Sequence, residues 1–246
     1  MATAPRPAER PAFYALRHGG WRDAVTLLHP PYTAWHLSYV ALGAAAAPHI
    51  HADRLLASLA AFLLAMGVSA HALDELDGRP LGTAIPRGWL IGLAAVGLAG
   101  AVTIGVVGVL VVSPWLIPLV VAGGLMVPAY NLRLARGRFH NDISFAVAWG
   151  AFPAFTGYFV NALAIKPAGL LVAAACCLLS LAQRRLSTPA RELRRRTVSV
   201  DGQQQLTDGR RLELTRERLL EPLEGALSMM WLAVVVLAVG LVLVRL

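Results

Sequence analysis

Residues 54–77 read RLLASLAAFLLAMGVSAHALDELD, and this stretch decides how the chain folds. No Asp, Glu, Lys or Arg lies between Arg54 and Asp74, and about 20 apolar residues are enough for a helix to span a membrane. Asp74 and Asp77 then stand three residues apart, on one face if the helix continues. Carboxylates at the mouth of a membrane helix are costly and are usually functional. The stretch therefore predicts a spanning helix that ends in a functional acidic pair.

The rest of the chain repeats this apolar pattern. It has 246 residues, of which 57% are hydrophobic and 15% charged, and its mean hydropathy is +0.60. Such a composition excludes a soluble globular domain and predicts an all-α integral membrane protein. We predict seven transmembrane helices, at 32–48, 54–73, 89–112, 115–131, 143–164, 168–183 and 226–244.

The placement of positive charge predicts the orientation. All but three of the 22 lysines and arginines (Arg54, Lys166 and Arg245) lie in the N-terminal tail or in the segments 74–88, 132–141 and 184–225. Cytoplasmic loops of membrane proteins carry such an excess, so we expect the N-terminus and these segments to be cytoplasmic. The net charge of +8 thus reflects topology and does not indicate nucleic-acid binding. We expect a protein of a prokaryotic plasma membrane, with its active face toward the cytoplasm.

The chain divides into a tail and one membrane domain. Residues 1–31 are expected to be a cytoplasmic tail, loose over 1–12, with an aromatic and basic stretch from Phe13 to Leu28 that suits an interfacial helix. Residues 32–246 are the transmembrane domain, in which 187–225 is the largest cytoplasmic loop. Two Asp-Gly turn signals in this loop predict that 197–200 pairs with 203–206 as a hairpin, and a helical pattern resumes at Thr215.

Polar residues gather at the predicted cytoplasmic ends of the second, fourth and sixth spans. Two carboxylates suit a divalent cation that bridges to a phosphate-bearing ligand, and arginine binds phosphate oxygens bidentately. Glu75 points elsewhere on the helix and is expected to be solvent-exposed. The arginines could also anchor to anionic headgroups, and Tyr130 could belong to an interfacial aromatic belt. The candidate site residues are Asp74, Asp77, Tyr130, Arg133, Arg136, Arg184, Arg185, Arg191 and Glu192.

In order and spacing these segments resemble the UbiA superfamily of intramembrane prenyltransferases. The stretch Leu73-Asp74-Glu75-Leu76-Asp77 stands where that family has an Asn-Asp-x-x-Asp type motif at the end of its second helix. Residues 78–83 resemble the Arg-Pro segment that follows, and residues 130–134 resemble the Tyr-containing basic segment after the fourth helix. The resemblance covers roughly residues 25–200.

The resemblance implies a UbiA-like bundle with an apolar cavity open to lipid. Mg²⁺ would be held by Asp74 and Asp77 against an isoprenoid diphosphate, with Tyr130 and Arg133 on the diphosphate. Ionisation then gives an allylic cation, which an aromatic or lipid acceptor traps in a prenyltransferase and an internal double bond traps in a UbiA-type terpene cyclase. Trp35 and His36 of the first span are expected to line the cavity.

Four departures from the family pattern keep other functions open. Leu73 replaces the motif's Asn, Leu81 stands where a third acidic residue often lies, and seven spans are fewer than the family's usual nine. Residues 183–196 hold six arginines and one acid, Glu192, in place of a second Asp-rich motif. Arginines can themselves stabilise a leaving diphosphate. The alternatives are a lipid-binding protein without prenyl chemistry, or a metal site with mixed nitrogen and oxygen ligands formed by His71, Asp74, Asp77, His140 and Asp142.

Overall fold

The computed structural model describes residues 10–246, so most of the predicted loose tail lies outside the described part. This part is all-α apart from one short hairpin. A π-helical segment interrupts α3 at Leu63–Ala70 and another interrupts α6 at Val147–Ala151, while α5 opens with a 3₁₀ turn. The helices are α1 (Trp21–Leu27), α2 (Pro30–Ala46), α3 (Ala52–Leu76), α4 (Arg87–Val111), α5 (Pro114–Asn131), α6 (Asp142–Ala162), α7 (Pro167–Arg195) and α8 (Arg216–Arg245).

Within the described residues, six helices (α3 to α8) are long and apolar enough to cross a membrane. This confirms the prediction of an all-α protein of membrane type. The first predicted span forms α2, a 17-residue helix that packs against α6 and α8. α7 continues to Arg195, well past the predicted end of its span, because residues 184–195 are rich in good helix formers. Both ends of the predicted loop 187–225 are therefore helical.

The hairpin of this connection uses a different turn from the one predicted. Strand β1 (Gln203–Gln205) pairs antiparallel with β2 (Arg211–Glu213). The turn lies at Asp208-Gly209, where Gly209 adopts a φ of 85° and the Asp208 carboxylate accepts hydrogen bonds from Arg210. The predicted pairing of 197–200 with 203–206 is wrong, because two Asp-Gly pairs carry the same turn signal and the sequence does not rank them.

The centre of the bundle is a close crossing of α2 and α6. A Cβ atom added to Gly43 would lie 1.9 Å from the carbonyl oxygen of Ala154, and one added to Gly157 would lie 2.1 Å from that of Val40. The two backbones therefore touch, as small residues allow between membrane helices. This crossing fixes which side chains of α2 face α6, including His36.

Glu75 is fully buried, and its prediction as solvent-exposed is wrong. Its carboxylate accepts hydrogen bonds from the backbone N–H groups of Leu81 and Thr83, at 3.0 and 2.8 Å, and from the Thr83 hydroxyl at 2.9 Å. The chain reverses just after α3 at Gly78, which adopts a φ of 82°, and so folds back over the side chain. Glu75 thus holds the 78–83 segment beside the acidic pair.

Replacing Glu75 by glutamine should lower the free energy of unfolding by about 2–3 kcal/mol, because hydrogen bonds to a buried charged group are among the strongest in proteins. Thermal unfolding of the purified protein in detergent measures the change. Glu221→Gln makes the same chemical change on an exposed side chain of α8 and should have little effect. Equal shifts in the two variants would contradict the structural role of Glu75.

Candidate functional site

A cavity of about 390 Å³ opens at the end of the bundle where α3, α5 and α7 end. The segment 11–14, the start of α2, and residues of α6 and α8 also line it. It is rich in charge and in aromatic and imidazole rings. Among the predicted site residues it brings together Asp74, Asp77, Tyr130, Arg133, Arg184, Arg191, Glu192 and His36.

Three predicted site residues are not among the described residues that line this cavity. Arg136 is exposed in the turn after α5, where its φ is 59°. Arg185 follows Arg184 by one position, about 100° further round α7, and is exposed. Trp35 is fully buried in the core of the bundle, and its Nε1 donates to the hydroxyl of Tyr39 at 2.5 Å. Each was predicted from its position along the chain, which does not specify the direction of the side chain.

The two carboxylates of the acidic pair differ in their interactions with other residues. The Asp77 carboxylate, just past the end of α3, forms an ion pair with Arg133 at 2.9 Å. Arg133 adopts a φ of 50°, a left-handed conformation that is costly for residues other than glycine. Asp74 lies on the last turn of α3, half-buried, and forms no hydrogen bond or ion pair within residues 10–246. Its carboxylate is therefore available to a ligand.

Three arginines that line the cavity, Arg191, Arg195 and Arg196, pair with no carboxylate among the described residues, and Arg191 is the half-buried one. In the part of the chain that the structure describes, Arg184 pairs with Asp142 at 2.7 Å and Arg194 pairs with Glu224. Half-buried Arg191 pairs with no carboxylate there, and its guanidinium donates only to the Thr188 hydroxyl at 3.3 Å. Its position on α7, one turn from residues 187 and 194, places it on the face that lines the cavity.

Asp74 and Asp77 are donors of the type that Mg²⁺ takes when a phosphate-bearing ligand supplies its remaining ligands. Magnesium commonly takes one or two protein carboxylates and fills its other positions with water and phosphate oxygens. Within residues 10–246 there is no cluster of three or more His, Cys, Asp or Glu residues suited to hold a metal ion. Of the residues expected in a mixed nitrogen and oxygen site, Asp142 pairs with Arg184, and the ring of His140 lies 4.6 Å from that of Tyr130.

The sequence reasoning missed a group of rings near the N-terminus. Phe13 and Tyr14, expected along the membrane surface, lie in the cavity wall. The Tyr14 hydroxyl hydrogen-bonds His29 Nδ1 at 2.5 Å, and the His29 ring stacks on His71 with centroids 4.2 Å apart. Glu224 of α8 also lines the cavity. An aromatic and basic stretch has the same composition on a membrane surface and in a cavity wall, so composition alone could not separate the two.

Burial sets the protonation of this group. It lowers the pKa of His29 well below the ordinary value of 6.5, and His71, Arg191 and Arg195 lower that pKa further. Burial likewise raises the pKa of Tyr14, with smaller effects from Tyr32, Arg195, Arg191 and Asp74. His29 is therefore neutral at physiological pH.

We expect stability to depend on His29 in mildly acidic solution. The unfolded chain binds a proton at His29 near pH 6.5, whereas the folded chain does not. The contribution of neutral His29 to stability is therefore fully present above that pH and is lost as the pH decreases below it. One proton gives a slope of at most about 1.4 kcal/mol per pH unit. Melting temperatures between pH 7.5 and 5.5 should fall less steeply for His29→Gln than for the unsubstituted protein. Parallel curves would show that His29 does not carry this effect.

A second, apolar cavity of about 150 Å³ lies among α3, α4, α5 and α6. Trp149 lines both cavities and thus forms their common wall. It lies in the π turn of α6, and its ring meets that of Tyr130 edge-on at 5.9 Å. A ligand with a charged head and an apolar chain would find both environments side by side.

Both π turns supply a carbonyl to a histidine of the charged cavity. His36 Nδ1 lies 2.7 Å from the carbonyl oxygen of Trp149, and His71 Nδ1 lies 3.1 Å from that of Gly67. Because a carbonyl only accepts hydrogen bonds, we assign the proton of the His36 ring to Nδ1. π turns interrupt regular helices and are frequent at functional sites.

In comparisons with known proteins, the chain matches no family model, no curated protein and no solved structure.

Proposed function

We propose that this chain is an intramembrane enzyme of UbiA type that ionises an isoprenoid diphosphate. One observation carries the proposal: a charged cavity and an apolar cavity share the wall that Trp149 forms. Within residues 10–246, the charged cavity holds a carboxylate without a partner, Asp74, and a guanidinium without a carboxylate partner, Arg191. This arrangement suits an amphiphile with a strongly anionic head. The cytoplasmic orientation that the charge distribution predicts is part of the proposal.

The arginines suit a diphosphate better than a single negative charge. Arg191 would bind the diphosphate oxygens directly, since a guanidinium makes paired hydrogen bonds to phosphate. Arg184 and Arg133, which pair with Asp142 and Asp77, can turn toward the same anion from the cavity wall. The cationic wall comprises Arg133, Arg184, Arg191, Arg194, Arg195 and Arg196.

Asp74 and Asp77 would hold Mg²⁺, which when bound supplies positive charge to offset the charge that develops on the leaving diphosphate. The protein's other residues position and protect the reacting carbon. Tyr130 and Trp149 present aromatic rings at the junction of the cavities, where a cation is stabilised. The apolar cavity would hold hydrocarbon and exclude water. The allylic cation then reacts with an aromatic or lipid acceptor, or with an internal double bond as in a terpene cyclase.

The test is diphosphate release by the purified full-length chain in lipid nanodiscs. Geranyl, farnesyl and geranylgeranyl diphosphates would be supplied with Mg²⁺ or with EDTA, and organic products identified by mass spectrometry. We expect release that requires the metal ion. A hydrocarbon formed without an acceptor identifies a cyclase, and a product formed only with an added acceptor identifies a transferase. Tight binding without release would overturn the proposal in favour of a lipid-binding protein.

Replacing Arg191 by glutamine should lower kcat/KM for diphosphate release about 10- to 100-fold, because the substrate loses a charge-assisted contact with a guanidinium that has no carboxylate partner in the described part of the chain. Initial rates over a range of substrate concentrations measure the change. Arg218→Gln removes the same charge from an exposed position on the first turn of α8 and should retain the original rate. If the two variants behaved alike, Arg191 would not contact the diphosphate.

A further inference from the structure

His36 is a buried histidine in which one ring nitrogen forms a hydrogen bond and the other does not. It lies on α2, and its Nδ1–H donates to the Trp149 carbonyl at 2.7 Å. In the neutral ring Nε2 is then an acceptor, and it has no hydrogen-bond partner within the described residues 10–246. The proton is thus held on the far side of the ring, and the free nitrogen has a lone pair to offer.

The position of His36 is the junction of the two cavities. It lines the charged cavity, while Trp149, which holds its Nδ1, lines both. Edge-on rings of Tyr39 and Phe145, with centroids at 5.8 and 5.9 Å, fix the imidazole. A substrate with its diphosphate among the arginines and its chain in the apolar cavity would place its first carbons beside this ring.

The other histidines of the cavity are less suited to act on those carbons. His29 Nδ1 bonds the Tyr14 hydroxyl, and its ring stacks on His71. His140 is exposed, and its Nδ1 lies 3.2 Å from the carbonyl oxygen of Tyr130. Among these four, only His36 has its bonded carbonyl in the wall that the two cavities share.

We propose that His36 is a catalytic residue: its Nε2 removes the proton that the carbocation loses to give the final product. This rests on the proposed function.

After the C–O bond to diphosphate breaks and a new carbon–carbon bond forms, a C–H bond next to the cationic carbon breaks. Its electron pair forms a double bond or restores the acceptor's aromatic ring, and the proton moves to Nε2. The resulting imidazolium keeps its Nδ1 bond to Trp149 and later returns the proton to water. A weak base suffices because such cations are very strong acids.

The test compares released diphosphate with organic product in the same tubes. His36→Asn places an amide N–H near the position of Nδ1, so it keeps the bond to the Trp149 carbonyl and removes the Nε2 lone pair. We expect diphosphate release within about threefold of the unsubstituted rate and at least a tenfold fall in the main product per diphosphate released. Prenyl alcohol, from capture of the cation by water, should replace that product. Added imidazole should restore part of it, and His49→Gln, at an exposed position between α2 and α3, should leave the ratio unchanged.

Because product is counted per diphosphate released, partial misfolding does not alter the result. An unchanged product ratio in both His36→Asn and His36→Gln would overturn the role of His36 and leave the diphosphate itself as the base. A parallel fall of release and product, with the ratio kept, would also overturn it and assign His36 a packing role. Failure of the proposed function is distinct, because the unsubstituted protein would then release no diphosphate.

Discussion

Asp74→Asn should lower Mg²⁺-dependent diphosphate release at least about 100-fold, which corresponds to about 2.7 kcal/mol of lost transition-state stabilisation. Asp74 is a half-buried carboxylate of the cavity that forms no hydrogen bond or ion pair in the described part of the chain. The substitution keeps the shape of the side chain and removes its charge, so the proposed metal ligand is lost while packing is retained. Initial rates at saturating substrate and increasing Mg²⁺ measure the effect.

The matched control lies at the other end of the same helix. Asp53, in the first turn of α3, is exposed and does not line either cavity among the described residues. Asp53→Asn should therefore keep nearly the original rate. A full rate in Asp74→Asn, or a similar loss in both variants, would show that Asp74 holds no metal ion during release. Partial recovery of the Asp74 variant at high Mg²⁺ would support weakened metal binding.

Gly157→Ala should destabilise the protein by about 3 kcal/mol or more, because the new methyl group would lie 2.1 Å from the carbonyl oxygen of Val40. Overpacking costs about 1–3 kcal/mol when neighbouring side chains can move, but here the neighbour is helix backbone. α2 and α6 would have to separate, and His36 would lose its position against Trp149. Thermal unfolding followed by size-exclusion chromatography should show a lower melting temperature and less folded protein.

The control is a glycine of α4. A Cβ atom at Gly92 meets nothing within 4 Å, and alanine is the better helix former. Gly92→Ala should therefore be neutral or slightly stabilising. If Gly157→Ala unfolded at the same temperature as Gly92→Ala, the close crossing of α2 and α6 would not determine stability.

The membrane character of the fold was predictable because it depends on apolar runs that can be counted along the chain. The end of α7 was less predictable, because residues 184–195 are polar but still form a helix. Glu75 shows why local pattern is not enough: helical spacing turned it away from Asp74, and only the return of residues 78–83 buries it. The position of the hairpin was not predictable, because both Asp-Gly pairs carry the same turn signal and the local pattern does not distinguish them.

The candidate site was predictable in its charges more than in its shape. Asp74, Arg133 and Arg191 stand out because charges beside apolar spans are costly. Tyr14 and His29 come from a segment remote in sequence, and nothing in its composition distinguishes a cavity wall from a membrane surface. The π turns leave no sequence signature, yet they decide which carbonyls meet His36 and His71.

The π-helical segment Leu63–Ala70 makes the length of α3 as important as its composition. A π turn accommodates an additional residue in a helix that would otherwise be regular. Deleting one residue inside this segment would let the helix close into α-geometry and leave Asp74 facing the cavity, because the wide turn holds one residue more than an α turn. Deleting one residue between Ala70 and Asp74 would instead rotate the acidic pair by about 100° and turn Asp74 away from the cavity wall. Relatives that differ widely in the apolar residues of α3 should therefore still agree in the number of residues between this segment and the acidic pair.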